Sequence, residues 1–408
     1  MWLVRLGALN LLRSPKRVAL SLISVVAGVS VFILGDGFAN GLTENVIRAE
    51  IDTVGAHVTL TPLEYDSDAF TRPIEDAFTL TEATTVALDD QTESWTRRIL
   101  FSPEGIVRSD GIRLRGVAYD PATDEAVFPR DTWVVQGELP TPENGGVLLA
   151  IKAATLLGVE AGDWLTLRTR TVDGALNALQ VPVSGVLSAG NPIMDINTVM
   201  IPWPLAEDLV QHHDRTTHLH ARLGNRWNAD SFAEQLAVTQ PDAKPETWEQ
   251  ATEELVQLME MRRTLFRIMS FALLAMAATG IANTILMAAY ERVREVGTLR
   301  AMGMTRRQVT GLFLIEGAFL GIVGGLLGAA IGGFATYYWS INGIDLAPLM
   351  AESGDVNNGI AFSTMLYMYF SPPTIAVGVA IGAFVATIAS VYPARAASSL
   401  SPADAVRA

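Results

Sequence analysis

The chain has no cysteine in its 408 residues, which excludes disulfides, thiol nucleophiles and cysteine-ligated metals and removes any redox clue to compartment. It also has no G-x-x-x-x-G-K-[ST] stretch, so it offers no P-loop for hydrolysing ATP by itself. Histidines number five, and four of them, His212, His213, His218 and His220, lie close together in sequence. His212 and His213 point apart on a helix, and with no H-E-x-x-H pattern the four make a weak case for a metal. No G-x-S-x-G selects among the many serines, so the chain reads as a non-enzyme. Basic residues are in deficit, 29 against 43 acidic for a net charge of −14. That balance gives no support for nucleic-acid binding, which favours clustered positive charge.

What the chain does have is apolar length. Half of its residues are hydrophobic, and they concentrate in four stretches, 18–39, 265–290, 310–338 and 374–393. Each reaches the roughly 20 residues that an α-helix needs to cross a hydrocarbon core of about 30 Å. The first is longer than the apolar part of a cleaved signal and lacks a small-x-small cleavage site, so it is expected to stay as an anchor. Arginine and lysine flank the spans unevenly. Arg5, Arg13, Lys16 and Arg17 precede the first, Arg292, Arg294, Arg300, Arg306 and Arg307 lie between the second and third, and Arg395 and Arg407 follow the fourth. These segments are therefore expected in the cytoplasm, with both termini, and residues 40–264 on the other side.

The expected organisation follows: a cytoplasmic amphipathic helix at 1–17, the first span, an extracytoplasmic α+β domain with a stalk at 40–264, the second span, a charged cytoplasmic helix at 291–309, the third span, a short outer loop at 339–373, the fourth span, and a cytoplasmic tail at 394–408. Within the large domain, "DWLTLRTRTVDGALNALQVPVSGVL" places two β-rich runs about Asp173 and Gly174, a hairpin pattern. "GGVLLAIKAATLLGVEAGD" reads as a helix, "PWPLAEDLVQHH" as a helix after a strand at "TVMIP", and "ETWEQATEELVQLMEMRRTLF" as a helical stalk entering the second span.

Small residues recur every four positions, as Gly317, Gly321 and Gly325, as Gly324, Gly328 and Gly332, and as Gly378, Gly382, Ala386 and Ser390. That spacing lets helices approach closely in lipid, whether the partner helix is in the same chain or another. Two carboxylates sit in or near the spans. Asp36, near the outer end of the first, is expected to be solvated; Glu316, about two turns into the third, needs protein or water around it, with an arginine as partner. Between the second and third spans, Thr305 and Gln308 form a capping box that starts a new helix after a break at Gly303. Upstream, Glu291 with Arg294 and Arg292 with Glu295 are i,i+3 pairs, and the residues' apolar neighbours suit either docking to a soluble partner or a purely topological role.

Residues 283–328, "NTILMAAYERVREVGTLRAMGMTRRQVTGLFLIEGAFLGIVGGLLG", resemble the signature region of FtsX-like permeases, the MacB and lipoprotein-releasing class of ABC transporters, and "YPARAASSLSPADAVRA" resembles that family's terminal motif. The resemblance implies four transmembrane helices plus a large α+β extracytoplasmic domain, the MacB-like type VII ABC permease architecture. It implies that Glu291, Arg292, Arg294, Glu295, Gly297, Arg300 and Gly303 contact a separate ABC ATP-binding subunit, present as a dimer, which binds the ATP and Mg²⁺; this chain needs no cofactor of its own. It further implies a second permease protomer, membrane lipid, a periplasmic carrier or adaptor, and a bacterial inner-membrane location. "VSGVLSAGNPIMDINTVMIPWPLAEDLV" is similar to the lipoprotein-releasing branch, whereas the segment between spans two and three is closer to the general family pattern. Lipoprotein release by mechanotransmission is the expected function, with MacB-like efflux of drugs, toxins or peptides through a periplasmic adaptor as the alternative. Val29, Phe32, Ile33, Phe271 and Leu274 are then the expected lining of a lateral opening to the lipid.

Overall fold

The computed structural model describes residues 15–63, 74, 76–108, 110–141, 145–291, 293–345 and 365–399. The expected amphipathic helix before Pro15, Arg292, most of the outer loop (346–364) and the tail from 400 onward lie outside the described residues. Contacts divide the chain into two units, one of residues 1–44, 257–344 and 366–408, the other of 45–256 with 345–365.

Helices longer than one turn are α1 (Pro15–Glu50), α2 (Glu82–Gln91), α3 (Ile151–Leu157), α4 (Trp203–Val210), α5 (Ala229–Thr239), α6 (Glu253–Glu291), α7 (Val293–Ala301), α8 (Arg306–Asn342), α9 (Pro372–Ala389) and α10 (Val391–Ser399). Among the described residues four helices, α1, α6, α8 and the α9–α10 segment, are long and apolar enough to cross a membrane. Capping residues set their starts. Ser371 accepts from Thr374 N, and the prolines that follow it occupy first-turn positions where no amide hydrogen is needed.

The first unit is built on the glycines of α8. A Cβ placed on Gly324 would sit 2.8 Å from Val25 Cβ, one on Gly328 2.8 Å from Val26 O, and one on Gly332 3.0 Å from Ser30 Cα, so this row is the groove that takes α1. Ser30 also donates its hydroxyl to Gly328 O at 3.0 Å. The other row takes α9: Gly321 faces Ala383, Gly325 faces Val379, and Gly317 faces Ser390. Both partner helices belong to the same chain, and close backbone approach replaces the hydrophobic drive that lipid does not supply.

The second unit is a twelve-stranded mixed sheet. Its strands are β1 (Val58–Pro62), β2 (Ser94–Phe101), β3 (Glu104–Val107), β4 (Asp110–Arg113), β5 (Arg115–Tyr119), β6 (Val134–Gly137), β7 (Val147–Ala150), β8 (Trp164–Arg170), β9 (Leu176–Leu187), β10 (Thr198–Pro202), β11 (His218–Arg222) and β12 (Ala243–Thr247). They run in the order β12-β1-β11-β2-β5-β10-β7-β9-β8-β3-β4, with β6 on β9. The pairs β5–β10 and β7–β9 are parallel. The expected hairpin is β8–β9, in register from Trp164 opposite Pro182 to Arg170 opposite Leu176, with Gly174 at φ +83° in the turn, a conformation glycine adopts at no steric cost.

Two readings of local structure need correction. Val147–Ala150 is a fully buried strand, and helix α3 starts only at Ile151; four apolar residues flanked by glycine fit both structures, and burial on both faces decides for the strand. Glu246 and Thr247 belong to β12, and Thr247 then caps a single turn, Trp248–Ala251, through a box with Gln250. The uninterrupted helix begins at Glu253 and runs without a break to Glu291.

Candidate functional site

The segment between α6 and α8 is built from three local devices. Helix α7 turns Val296 and Gly297 inward, and Val296 joins a core shared with Ala394 and Ala397 of α10. Helix α7 stops in a Schellman motif: Met304 N donates to Leu299 O at 3.0 Å and Gly303 N to Arg300 O at 3.1 Å, with Gly303 at φ +103°. Helix α8 then starts from the expected capping box, Gln308 N donating to Thr305 Oγ1 at 3.3 Å and Thr305 N to Gln308 Oε1 at 2.9 Å.

These devices sort the expected residues by position. Glu291, Arg294 and Glu295 are exposed, as are Arg306 and Arg307, and Met302 is 72% exposed beside them. Gly297 is buried on the inward side of α7. Arg300 is half-buried and donates from Nη1 to Ser398 O at 3.3 Å, tying α7 to the end of α10. The arrangement is a short charged helix backed by α10, with Arg294 and Glu295 on its exposed side.

Of the spans' carboxylates, Glu316 is buried in the bundle. Asp36 is not the solvated residue expected from its place near the end of a span. Its side chain is 12% exposed and accepts from Asn40 Nδ2 at 2.9 Å and Thr374 Oγ1 at 3.0 Å, with Arg263 Nη2 at 3.7 Å. It thereby links α1, α6 and α9. Arg263 carried no signal in the sequence beyond being a charge on a helix approaching a span.

The five residues expected to line a lateral opening are not gathered on one surface. Val29 and Ile33 are 1% and 2% exposed and fill the glycine grooves, Val29 against Gly328 and Gly382, Ile33 against Gly332 and Gly378. Leu274 is buried, Phe32 is half-buried, and Phe271 is 59% exposed. The glycine rows admit α1 so closely that Val29 and Ile33 are taken up in packing, while Leu20, Ile23 and Val31 stay exposed.

In the α/β unit an ion cluster went unnoticed in the sequence. Asp124, fully buried, accepts from Arg98 Nε at 2.7 Å and Nη2 at 3.0 Å, and the Arg130 guanidinium forms an ion pair with it, Nε at 2.8 Å. Arg98 lies 3.6 Å over the Phe128 ring and Arg130 4.1 Å over Tyr119. Burial pushes the Tyr119 hydroxyl up to about 12, although the Arg130 charge works against the shift.

Residues 267–402 match the family described as FtsX-like permease C-terminal. Residues 267–402 therefore carry an FtsX-like permease domain. Among its relatives, the lipoprotein-releasing system transmembrane protein LolC of Neisseria meningitidis is 23% identical over 332 residues, 76% of each chain. LolC of Xylella fastidiosa is 23% identical over 398 residues, 95% of this chain and 92% of that one. The macrolide export ATP-binding/permease protein MacB of Rhodopirellula baltica is 35% identical over 134 residues, 33% of this chain and 16% of that one.

Proposed function

We propose that the chain is the permease subunit of an ABC transporter that releases lipoproteins from the outer leaflet of a bacterial inner membrane, working with a separate ATP-binding dimer and a second permease protomer. The observation that carries the reading is the extent of the likeness to LolC, which runs through the large domain as well as the spans, whereas the likeness to MacB is confined to about a third of the chain. In this reading 291–309 faces the cytoplasm. Glu291, Arg292, Arg294 and Glu295 meet the ATPase, while Gly297, Arg300 and Gly303 hold the helix in place. ATP and Mg²⁺ bind to the partner, and closure there is relayed through α7 and α10 to the helix bundle.

Acyl chains are held in a leaflet by about 0.8 kcal/mol per buried CH₂, so release needs an ATP-driven step and an apolar surface that receives the chains. Of the expected lining, exposed Phe271 and half-buried Phe32 stay as candidates for that surface. Val29, Ile33 and Leu274 support the helix packing instead. MacB-like efflux is the second reading, favoured by the higher identity within the permease region.

Proteoliposomes holding the permease with its ATPase and a triacylated lipoprotein separate the two. The expected result is ATP-dependent transfer of the lipoprotein to a soluble carrier; ATP-dependent macrolide transport with the lipoprotein retained would establish the efflux reading instead.

A further inference from the structure

A cavity of about 500 Å³ opens in the α/β unit, a size within the roughly 300–1,000 Å³ of small-molecule sites. Its floor is the face of neighbouring strands. Residues two apart share one face of a strand, so β11 contributes His218 and His220, and β1 sets Thr59 opposite both His220 and Glu246 of β12. On the other side β2 and β5 place Leu100 opposite Val117. The walls come from Glu50–Gly55, where α1 ends in a π-turn, from Met194, and from Ala251–Leu255 at the start of α6.

His220 is 2% exposed, and its tautomer follows from its neighbours. Thr59 spends its single hydroxyl proton on Gly55 O at 2.5 Å. The contact of Thr59 Oγ1 with His220 Nδ1 at 3.2 Å must then take its proton from the imidazole. Burial first, and the charge of Arg98 second, lower the affinity of this histidine for a second proton. Nε2 is therefore a bare acceptor, and it is buried with no hydrogen-bond partner among the described residues. A buried polar atom without a partner calls for a missing one.

The charges around it have one prevailing sign. Arg98 is answered by Asp124 outside the cavity. Glu246 and Glu254 then line the space with Glu50, whose carboxyl pKa is pushed up by burial and pulled back by the charge of Arg115 and the amide of Asn191. The acceptors offered are His220 Nε2 and the glutamates, with the guanidinium of Arg115 on the same lining, beside an apolar wall of Leu100, Val117 and Met194.

We infer that this cavity binds a small amphipathic amine, its ammonium donating to His220 Nε2 and to the glutamates, its apolar body lying on Leu100, Val117 and Met194. The site goes beyond the transport reading and does not depend on which cargo the permease handles. Three photoreactive probes with one diazirine-bearing alkyl body, ending in a primary amine, an alcohol or a carboxylate, test it on the full chain in phosphatidylcholine nanodiscs, with adducts mapped by peptide mass spectrometry. The amine is expected to label residues 50–61 and 246–255 saturably, about tenfold above the carboxylate, a difference of about 1.4 kcal/mol. Unlabelled hexylamine should compete, and His220→Phe should abolish the labelling. Should that variant fail to fold, Glu246→Gln, at a half-buried position, is expected to reduce amine labelling several-fold while leaving thermal unfolding unchanged. Equal labelling by all three probes, labelling confined to the apolar helices, or no saturable adduct would overturn the assignment. None of these readouts uses the ATPase, so they stand apart from the transport assay.

Discussion

Gly328 has a hydrogen where any other residue would place a carbon 2.8 Å from Val26 O and 2.9 Å from Val29 Cβ. Gly328→Leu is therefore expected to cost about 1–3 kcal/mol or more by overpacking, read as a lower thermal unfolding temperature in detergent, while Gly311→Ala, with nothing within 4 Å, should not lower it. Equal behaviour of the two variants would refute the groove. The four-residue spacing was legible in sequence, but not which face of α1 it would accept, so the packing of Val29 and Ile33 against those glycines was not readable. Histidine was harder still: His218 and His220 carry an i,i+2 signal for one face of a strand, yet nothing local reveals that Thr59 and Glu246 lie opposite. A pH prediction belongs to the same residues. Burial lowers the proton affinity of His57, His212 and His220, so the unfolded chain binds more protons than the folded one below the ordinary histidine pKa of about 6.5. Stability from this source is whole above that pH and falls as pH drops from there toward the lowered folded values. Thermal unfolding at about pH 7.5 and about pH 5.5 should show a smaller acid loss for His220→Gln than for the unaltered chain; an identical loss would remove His220 from this account.

At the scale of elements, the turn from α7 into α8 was legible nearly atom by atom, because a capping box and a left-handed glycine are local devices that need no tertiary context. What local sequence could not show is that α10 backs α7, since Arg300 and Ser398 are 98 residues apart. Their contact changes the choice of variants. Arg300→Glu would break a positioning hydrogen bond at a half-buried position, whereas Glu295→Arg alters a side chain that is exposed. Glu295→Arg is expected to weaken co-purification of the ATPase severalfold with unfolding unchanged; undiminished association would reduce the residue to a topological marker. Gly303→Val places a β-branched residue at φ +103°, at a cost of about 1–3 kcal/mol, and is expected to uncouple ATP hydrolysis from transport while membrane insertion persists. Asp36 shows the opposite case, an element link hidden from sequence because Arg263 and Thr374 come from distant helices.

For the whole molecule, four apolar helices and an α/β unit were readable from hydropathy and turn residues, while the twelve-strand order was not, because parallel pairs such as β5–β10 join segments about 80 residues apart. Topology is checked by reporter fusions: those after Trp203 are expected outside the cytoplasm and those after Met302 inside, the reverse of which would end the coupling account. The most direct test of lipoprotein release uses a photo-crosslinker at exposed Phe271 in the assembled, ATPase-bound complex. The account predicts adducts to lipoprotein that diminish when ATP is added. Adducts only to neighbouring helices, together with crosslinks between the large domain and an adaptor, would contradict it.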